Sequence, residues 1–303
     1  MNINDRIREL KEQKDVVILA HYYVPGDVQA IADFTGDSYA LAKKAAQVAQ
    51  KNILFAGVFF MGESAKLLNP QKHVYMVDRN ADCQMARMIN AEQVRKVKAE
   101  HPEAGVVCYV NSTAETKAVC DVCVTSSNAV KVVSKMEQKE IYFVPDQNLG
   151  RVVANELPEK DFIFHNGYCP IHQAVTRESI LQAKKEHPQA LVLMHPECSK
   201  EVLELADYAG STAGIIQYAG QSESSEFIIV TECGVFYQLE KENPDKHFYA
   251  LNPCQVCPDM KLATLEQVLN VLENLEEQEE ILLDDSIMEQ AKLPLQRMLE
   301  LAQ

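Results

Sequence analysis

One internal self-similarity limits what this chain can fold into. Glu100-His101-Pro102 recurs 86 residues later as Glu186-His187-Pro188, each followed shortly by an apolar run. The same offset joins Cys83 to Cys169, Tyr109 to His195, Asn111 to Glu197 and Ser126 to Thr212 (169 − 83, 195 − 109, 197 − 111 and 212 − 126 all equal 86). An earlier copy lies 88 residues upstream of the second, because 109 − 21, 111 − 23 and 126 − 38 all equal 88, matching His21, Tyr23 and Ser38. Three copies in one register predict three similar units, with equivalent residues in equivalent places.

Within each unit an apolar run ends in a polar or aromatic pair two residues apart: His21 and Tyr23, Tyr109 and Asn111, His195 and Glu197. Two further apolar runs follow in each copy, at Ile53-Leu54-Phe55 and Val74 to Val77, Ile141-Tyr142-Phe143 and Phe162-Ile163-Phe164, and Phe227-Ile228-Ile229 and Phe248-Tyr249-Ala250. These runs read as buried strands. Tyr39 to Gln50, Asn90 to Glu100, Arg177 to His187 and Thr264 to Leu272 carry helical spacing instead. The alternation predicts an α/β fold of three pseudo-equivalent α/β/α domains with largely parallel sheets, spanning 1–84, 85–170 and 171–258, with a helical segment 259–303 packing back on them. The acidic run Glu273 to Glu280 reads as a solvated helix end before an amphipathic tail, Ile281 to Leu301. Ligands of such sheets sit beyond the carboxyl ends of the strands, so the three pairs are expected to face one site. Ser38, Ser126 and Thr212, seventeen residues after the first member of each pair, read either as helix caps or as anion donors in that pocket.

The 303 residues, 47% of them hydrophobic, are enough for a substantial core, and a formal charge of −15 argues against a nucleic-acid or anionic-membrane surface. The N-terminus has charges where a secretory signal needs an apolar core, and its run Val16 to Ala20 is too short to span a bilayer, so a cytoplasmic location is expected. Nine cysteines, an odd number, fit metal ligation or burial better than a full disulfide framework. Cys83, Cys169 and Cys257 fall one per repeat, each in an irregular segment after the last strand (169 − 83 is 86 and 257 − 169 is 88). Three converging thiolates suit zinc or an iron–sulfur cluster, and ligand count alone does not choose between them. Three thiolates on a 4Fe-4S cluster would leave one iron open to substrate. The pairs Cys120/Cys123 and Cys254/Cys257 have the spacing of zinc half-sites, with burial the simpler account of the first; Cys108, Cys198 and Cys233 read as inert core or pocket thiols.

His21-Tyr22-Tyr23, Asp33 to Ser38, Tyr109 to Thr113, Thr125 to Val130, Cys169-Pro170-Ile171-His172, His195 to Cys198 and Gly210-Ser211-Thr212 together resemble the quinolinate synthase family from the first strand to the C-terminal helix. The resemblance implies an enzyme of three α/β domains around a central 4Fe-4S cluster, condensing iminoaspartate with dihydroxyacetone phosphate to quinolinate in NAD biosynthesis. It implies Cys83, Cys169 and Cys257 as cluster ligands, with Pro258-Asp259-Met260 matching the segment after the last one. Glu197 matches the catalytic acid/base, assisted by Tyr23, Tyr109 and His195. His21, Ser38, Asn111, Ser126, Ser211 and Thr212 match holders of substrate carboxylates and phosphate, alongside Tyr109, His195 and Glu197. His172 fits either lining the pocket or supporting a ligand from behind. Further implied are a monomer or weak homodimer and functional coupling to L-aspartate oxidase. Cys254 and Cys257, with two residues between them, suggest a redox-sensitive pair. A zinc hydrolase and an iron–sulfur sensor are the rival readings, separable by metal content and turnover.

Overall fold

The computed structural model describes residues 2–303. Each unit has a four-stranded sheet with every neighbouring pair parallel. The first comprises β1 (Val16–His21), β2 (Phe34–Gly36), β3 (Asn52–Ala56) and β4 (His73–Met76) in the order β2-β1-β3-β4. The second comprises β5 (Gly105–Tyr109), β6 (Val122–Val124), β7 (Glu140–Val144) and β8 (Asp161–Phe164), and the third β9 (Leu191–Met194), β10 (Tyr208–Ala209), β11 (Glu226–Val230) and β12 (His247–Ala250), in the same spatial order. The expected three parallel-sheet α/β units are therefore present. The central strands are apolar along almost their whole length because helices cover both faces, and β1 and β5 are buried at every position.

The chain leaves each first strand for one neighbour and then returns on its other side, so β1, β5 and β9 stand at topological switch points. His21 and Tyr109 are the last residues of β1 and β5, and His195 follows β9 directly. The polar pairs thus occupy the crevice where such sheets bind ligands.

Edge strands β2, β6 and β10 are only two or three residues long, too short for an apolar run to announce them. They are held by a repeated aspartate. The N–H groups of Ile18, Val106 and Val192 donate to Asp33, Asp121 and Asp207 at 2.8, 2.7 and 2.8 Å. The three aspartates keep the repeat register (121 − 33 is 88 and 207 − 121 is 86). Each also pairs with a lysine of the helix before its unit's first strand: Lys11, Lys98 and Lys184. The duplicated Glu-His-Pro has a local role as well. His101 and His187 end the helices Ala91–Glu100 and Arg177–Glu186, since a residue before proline is pushed out of helical geometry.

The helix expected over Tyr39 to Gln50 stops earlier, at Ser38–Ala45. The chain must turn there to enter β3 at Asn52, and Lys72 Nζ donates to the carbonyl of Val48 in the connecting segment. The C-terminal segment docks on the first two units: helix Leu265–Glu273 lies against helix Ile3–Gln13, and helix Asp285–Leu301 lies across β6 and the helices Ala114–Lys117 and Phe59–Leu68. One continuous core joins units one, two and these helices, whereas unit three has a separate apolar cluster on each face of its sheet. Among the described residues no helix is long and apolar enough to cross a membrane.

Leu295, fully buried where the last helix meets that core, tests the docking. Leu295→Ala should lower stability by about 2–5 kcal/mol, the usual range for a buried leucine, read as a shift in denaturant midpoint without a change in slope.

Candidate active site

The strand ends, the loops after the last strand of each unit and three helix starts enclose one cavity. From the first unit it receives His21, Tyr23, Ser38 and Cys83, from the second Tyr109, Asn111, Ser126, Cys169 and Pro170, and from the third His172, His195, Glu197, Thr212 and Cys257. Ser211 stays outside the lining: it caps helix Thr212–Gln221 by accepting the Gly214 N–H at 3.1 Å. The helix Ser38–Ala45 is capped likewise by Asp37, which accepts from Ala40. Ser38 and Thr212, each one residue past the cap, are thereby left to face the cavity. Asp37 also accepts from Ser127 Oγ at 2.6 Å, tying the first unit to the second.

The paired residues form a repeated turn. His21 Nδ1 accepts the N–H of Tyr23 at 3.2 Å, and His195 Nδ1 accepts that of Glu197 at 3.4 Å. With Nδ1 used as an acceptor, the proton of each neutral ring lies on Nε2. Burial, with neighbouring imidazoles adding to it, lowers both histidines from 6.5 to about 3. They act as neutral N–H donors.

Glu197 is 4% exposed and holds the centre of the site. Its Oε1 accepts from Tyr109 Oη at 2.6 Å and its Oε2 lies 2.8 Å from His172 Nδ1 and 3.6 Å from His195 Nδ1. Burial opposes the charge, yet the hydrogen bonds from His172 and Tyr109 and the imidazoles packed around it outweigh that and hold Glu197 below the usual carboxylate range. Tyr23 and Tyr109 are both pushed well above 10, by burial and then by the Glu197 charge, so both are phenol donors. Tyr23 Oη lies 2.7 Å from each of Thr212 Oγ1 and Thr231 Oγ1, and Thr231 Oγ1 lies 2.9 Å from His172 Nε2. The buried Oδ1 of Asn111 has no partner within the protein, nor has the hydroxyl of Thr125. Orphaned polar atoms beside a cavity mark a place for a polar ligand.

Cys83, Cys169 and Cys257 are free thiols on the cavity wall, and burial raises the pKa of each, with nearby carboxylates adding to it, and for Cys83 and Cys169 one neighbouring thiol as well. Leaving three such thiolates uncompensated would be costly, and among the described residues no lysine or arginine lines the cavity. The donor set therefore suits a metal group. Cys169, His172 and Glu197 also bring one ligand atom each within 4.8 Å of one another.

Sequence reasoning missed the supports behind these thiols. Glu232 Oε1 accepts the Cys257 N–H at 3.1 Å and Lys261 Nζ at 2.8 Å, while Oε2 accepts from Gly234 at 2.6 Å. Lys261 Nζ donates onward to the Tyr23 carbonyl. In the second unit, burial and the Glu197 charge raise Asp146, whose Oδ1 accepts the Leu149 N–H at 2.7 Å. In the first, the Cys83 N–H donates to Asp82 at 2.8 Å. Asp146 and Glu232 are themselves 86 apart, so the repeat register held the signal (232 − 146).

The expected pairing of Cys254 with Cys257 is overturned: Cys254 is joined by a disulfide to Cys233, with Cα atoms 6.3 Å apart, and Cys257 is free. Cys233 is thus not the inert thiol expected. The bridge of Glu232 to Gln255 and the bond from Cys233 N to Gln255 O align the two segments, while Glu232 draws the Cys257 amide toward the site. Cys108, Cys120 and Cys123 lie buried around β5 and β6, away from the cavity.

A protein-family profile described as quinolinate synthetase A protein matches residues 5–300. The quinolinate synthase of Fusobacterium nucleatum is 48% identical over 300 residues, covering 99% of both chains. That of Clostridioides difficile is 48% identical over 298 residues, 98% of this chain and 97% of its own, and that of Caldicellulosiruptor saccharolyticus 48% over 300, covering 99% and 98%.

The histidines set a pH dependence of stability. Their folded pKa of about 3 lies below the unfolded value near 6.5, so across that window the unfolded chain binds protons that the folded chain excludes. Stability should fall as pH drops from about 6.5 toward 3. His21→Gln and His195→Gln should each flatten the slope of unfolding free energy against pH by about one proton, read from denaturant midpoints.

Proposed function

The chain belongs to the quinolinate synthetase A family of enzymes, and on that premise we propose that it condenses iminoaspartate with dihydroxyacetone phosphate, losing phosphate and water, to give quinolinate for NAD biosynthesis. The observation that carries this reading is the meeting in one cavity of an ionised carboxylate, two phenols, two neutral imidazole donors and three thiols.

The thiols of Cys83, Cys169 and Cys257 would hold a 4Fe-4S cluster, which when bound supplies an iron with an open position as a Lewis acid for dehydration. The rest of the chemistry falls to the chain. Ser38, Ser126 and Thr212 offer hydroxyls, and Asn111 an amide, to the substrate's phosphate and carboxylates. His21 and His195 offer Nε2–H groups without a permanent charge. Such binding depends on dipoles and enclosure instead of an arginine clamp. Glu197, ionised in the resting site, accepts the proton removed from carbon in the condensation. It returns that proton to the oxygen that leaves as water, acting as acid and base in turn. Tyr109, already donating to Glu197, and Tyr23 supply protons to developing oxyanions.

A second reading is favoured by one observation. Cys169, His172 and Glu197 form a compact donor set of the kind that binds a single zinc ion for hydrolysis.

Anaerobic purification with iron, sulfide and zinc analysis separates the two. Stoichiometric iron and sulfide that are lost in each of Cys83→Ala, Cys169→Ala and Cys257→Ala support the cluster, whereas zinc in their place, or full iron and sulfide in any one folded variant, counts against it. Glu197→Gln keeps the side-chain size and removes the base. It should retain iron and lower quinolinate formation by about 10²-fold or more, and near-parental turnover would exclude the assigned role.

A further inference from the structure

The turn after the edge strand is built differently in the second unit than in the other two, and the difference leaves one hydroxyl unused. Asp37, Thr125 and Ser211 share the repeat register (125 − 37 is 88 and 211 − 125 is 86). In the first and third units this residue caps a helix that begins one position later. Asp37 accepts the Ala40 N–H at 2.9 Å and Ser211 the Gly214 N–H at 3.1 Å, and each side chain is thereby committed to the fold.

In the second unit the helix begins at Ala129 in place of Ser126, three residues later. Asn128 closes the turn instead. Its Oδ1 accepts the Thr125 N–H at 2.7 Å, while the N–H groups of Asn128 and Ala129 donate to the Thr125 carbonyl at 3.1 and 3.0 Å. The Ser127 hydroxyl, donating to Asp37 at 2.6 Å, anchors the same turn to the first unit. Both backbone groups of Thr125 are satisfied locally, and its side chain has no helix to cap.

Thr125 is 2% exposed, its Oγ1 meets no partner among the described residues, and it lies on the cavity wall with Ser126 and Asn111. Most buried hydroxyls are hydrogen-bonded, because an unmade bond leaves the loss of hydration uncompensated. The wall carries no lysine or arginine among the described residues, so an anion there must be held by neutral donors. We propose that Thr125 is a further substrate-binding residue, a fourth hydroxyl beside Ser38, Ser126 and Thr212, donating to a terminal oxygen of a substrate carboxylate or phosphate. The identity of those substrates rests on the proposed quinolinate synthesis.

A hydroxyl that supports the fold and one that serves a ligand respond oppositely to removal. Thr125→Val keeps the shape and deletes a group with no partner in the protein. The denaturant midpoint of the substrate-free, iron-loaded protein should therefore stay unchanged or rise. Calorimetric binding is then measured with dihydroxyacetone phosphate, which carries the phosphate, and with quinolinate, which carries two carboxylates. Thr125→Val should weaken at least one of them by about 10-fold to 10²-fold, the scale of one hydrogen bond to a charged group, and Thr125→Ser should restore most of the affinity. Loss with dihydroxyacetone phosphate alone assigns the phosphate, loss with quinolinate alone a carboxylate, and loss with both an oxyanion position that the two share. In turnover, KM should rise by more than kcat falls. Parental affinity for both ligands in Thr125→Val, an equal loss in Thr125→Ser, or a lowered midpoint or failure to fold in Thr125→Val would each overturn the proposal. A parent that binds both ligands and makes no quinolinate would remove the proposed reaction, and the binding comparison would still decide the role of Thr125. A parent that binds neither overturns both.

Discussion

The Glu197 carboxylate, ionised and almost wholly out of water, is the constraint on which the site depends. An isolated buried charge is strongly unfavourable, so its donors are structural requirements. They come from different units. Tyr109 ends the central strand of the second, His172 follows a ligand-loop cysteine, and the backbone carbonyl of Glu197 is held separately by Asn148 of the second unit at 2.9 Å. Satisfying one charge therefore holds two units against each other at the place where their strand ends meet.

The three units share strand order, edge-strand aspartates and a cysteine after the last strand, but not the side chains at the ends of their central strands. Identical copies would have supplied three like groups, and three carboxylates at this distance could not all ionise. Divergence to His21 and Tyr23, Tyr109 and Asn111, and His195 and Glu197 gives one base surrounded by donors. The pseudo-symmetry supplies convergence, and its breaking supplies the chemistry. Behind two of the thiols the ligand-loop amide meets a carboxyl group, Asp82 for Cys83 and Glu232 for Cys257, and Asp146 stands at the matching strand end of the second unit.

The cysteines show how far spacing misleads. Cys254 and Cys257 are near in sequence, yet the backbone pairing of 232–233 with Gln255 sets Cys254 beside Cys233 and turns Cys257 to the cavity. A two-residue separation limits distance without fixing the direction of a side chain. Direction is set by where the backbone hydrogen bonds run, and these join segments more than twenty residues apart.

The sequence by itself determined the threefold α/β plan, the central and outer strands, and the placement of His21, Tyr109 and His195 at strand ends, because periodic apolar runs and an 86-residue register survive in one dimension. The same register would have exposed Asp33, Asp121 and Asp207, and Asp146 with Glu232. Only the tertiary structure decided that Ser211 caps a helix while Thr212 meets Tyr23, that Cys254 joins Cys233, and that Thr231 lies between Tyr23 and His172. Those outcomes turn on distances of a few ångströms between residues up to about two hundred apart in the chain, and no local pattern encodes which of two adjacent side chains a folded backbone will aim inward.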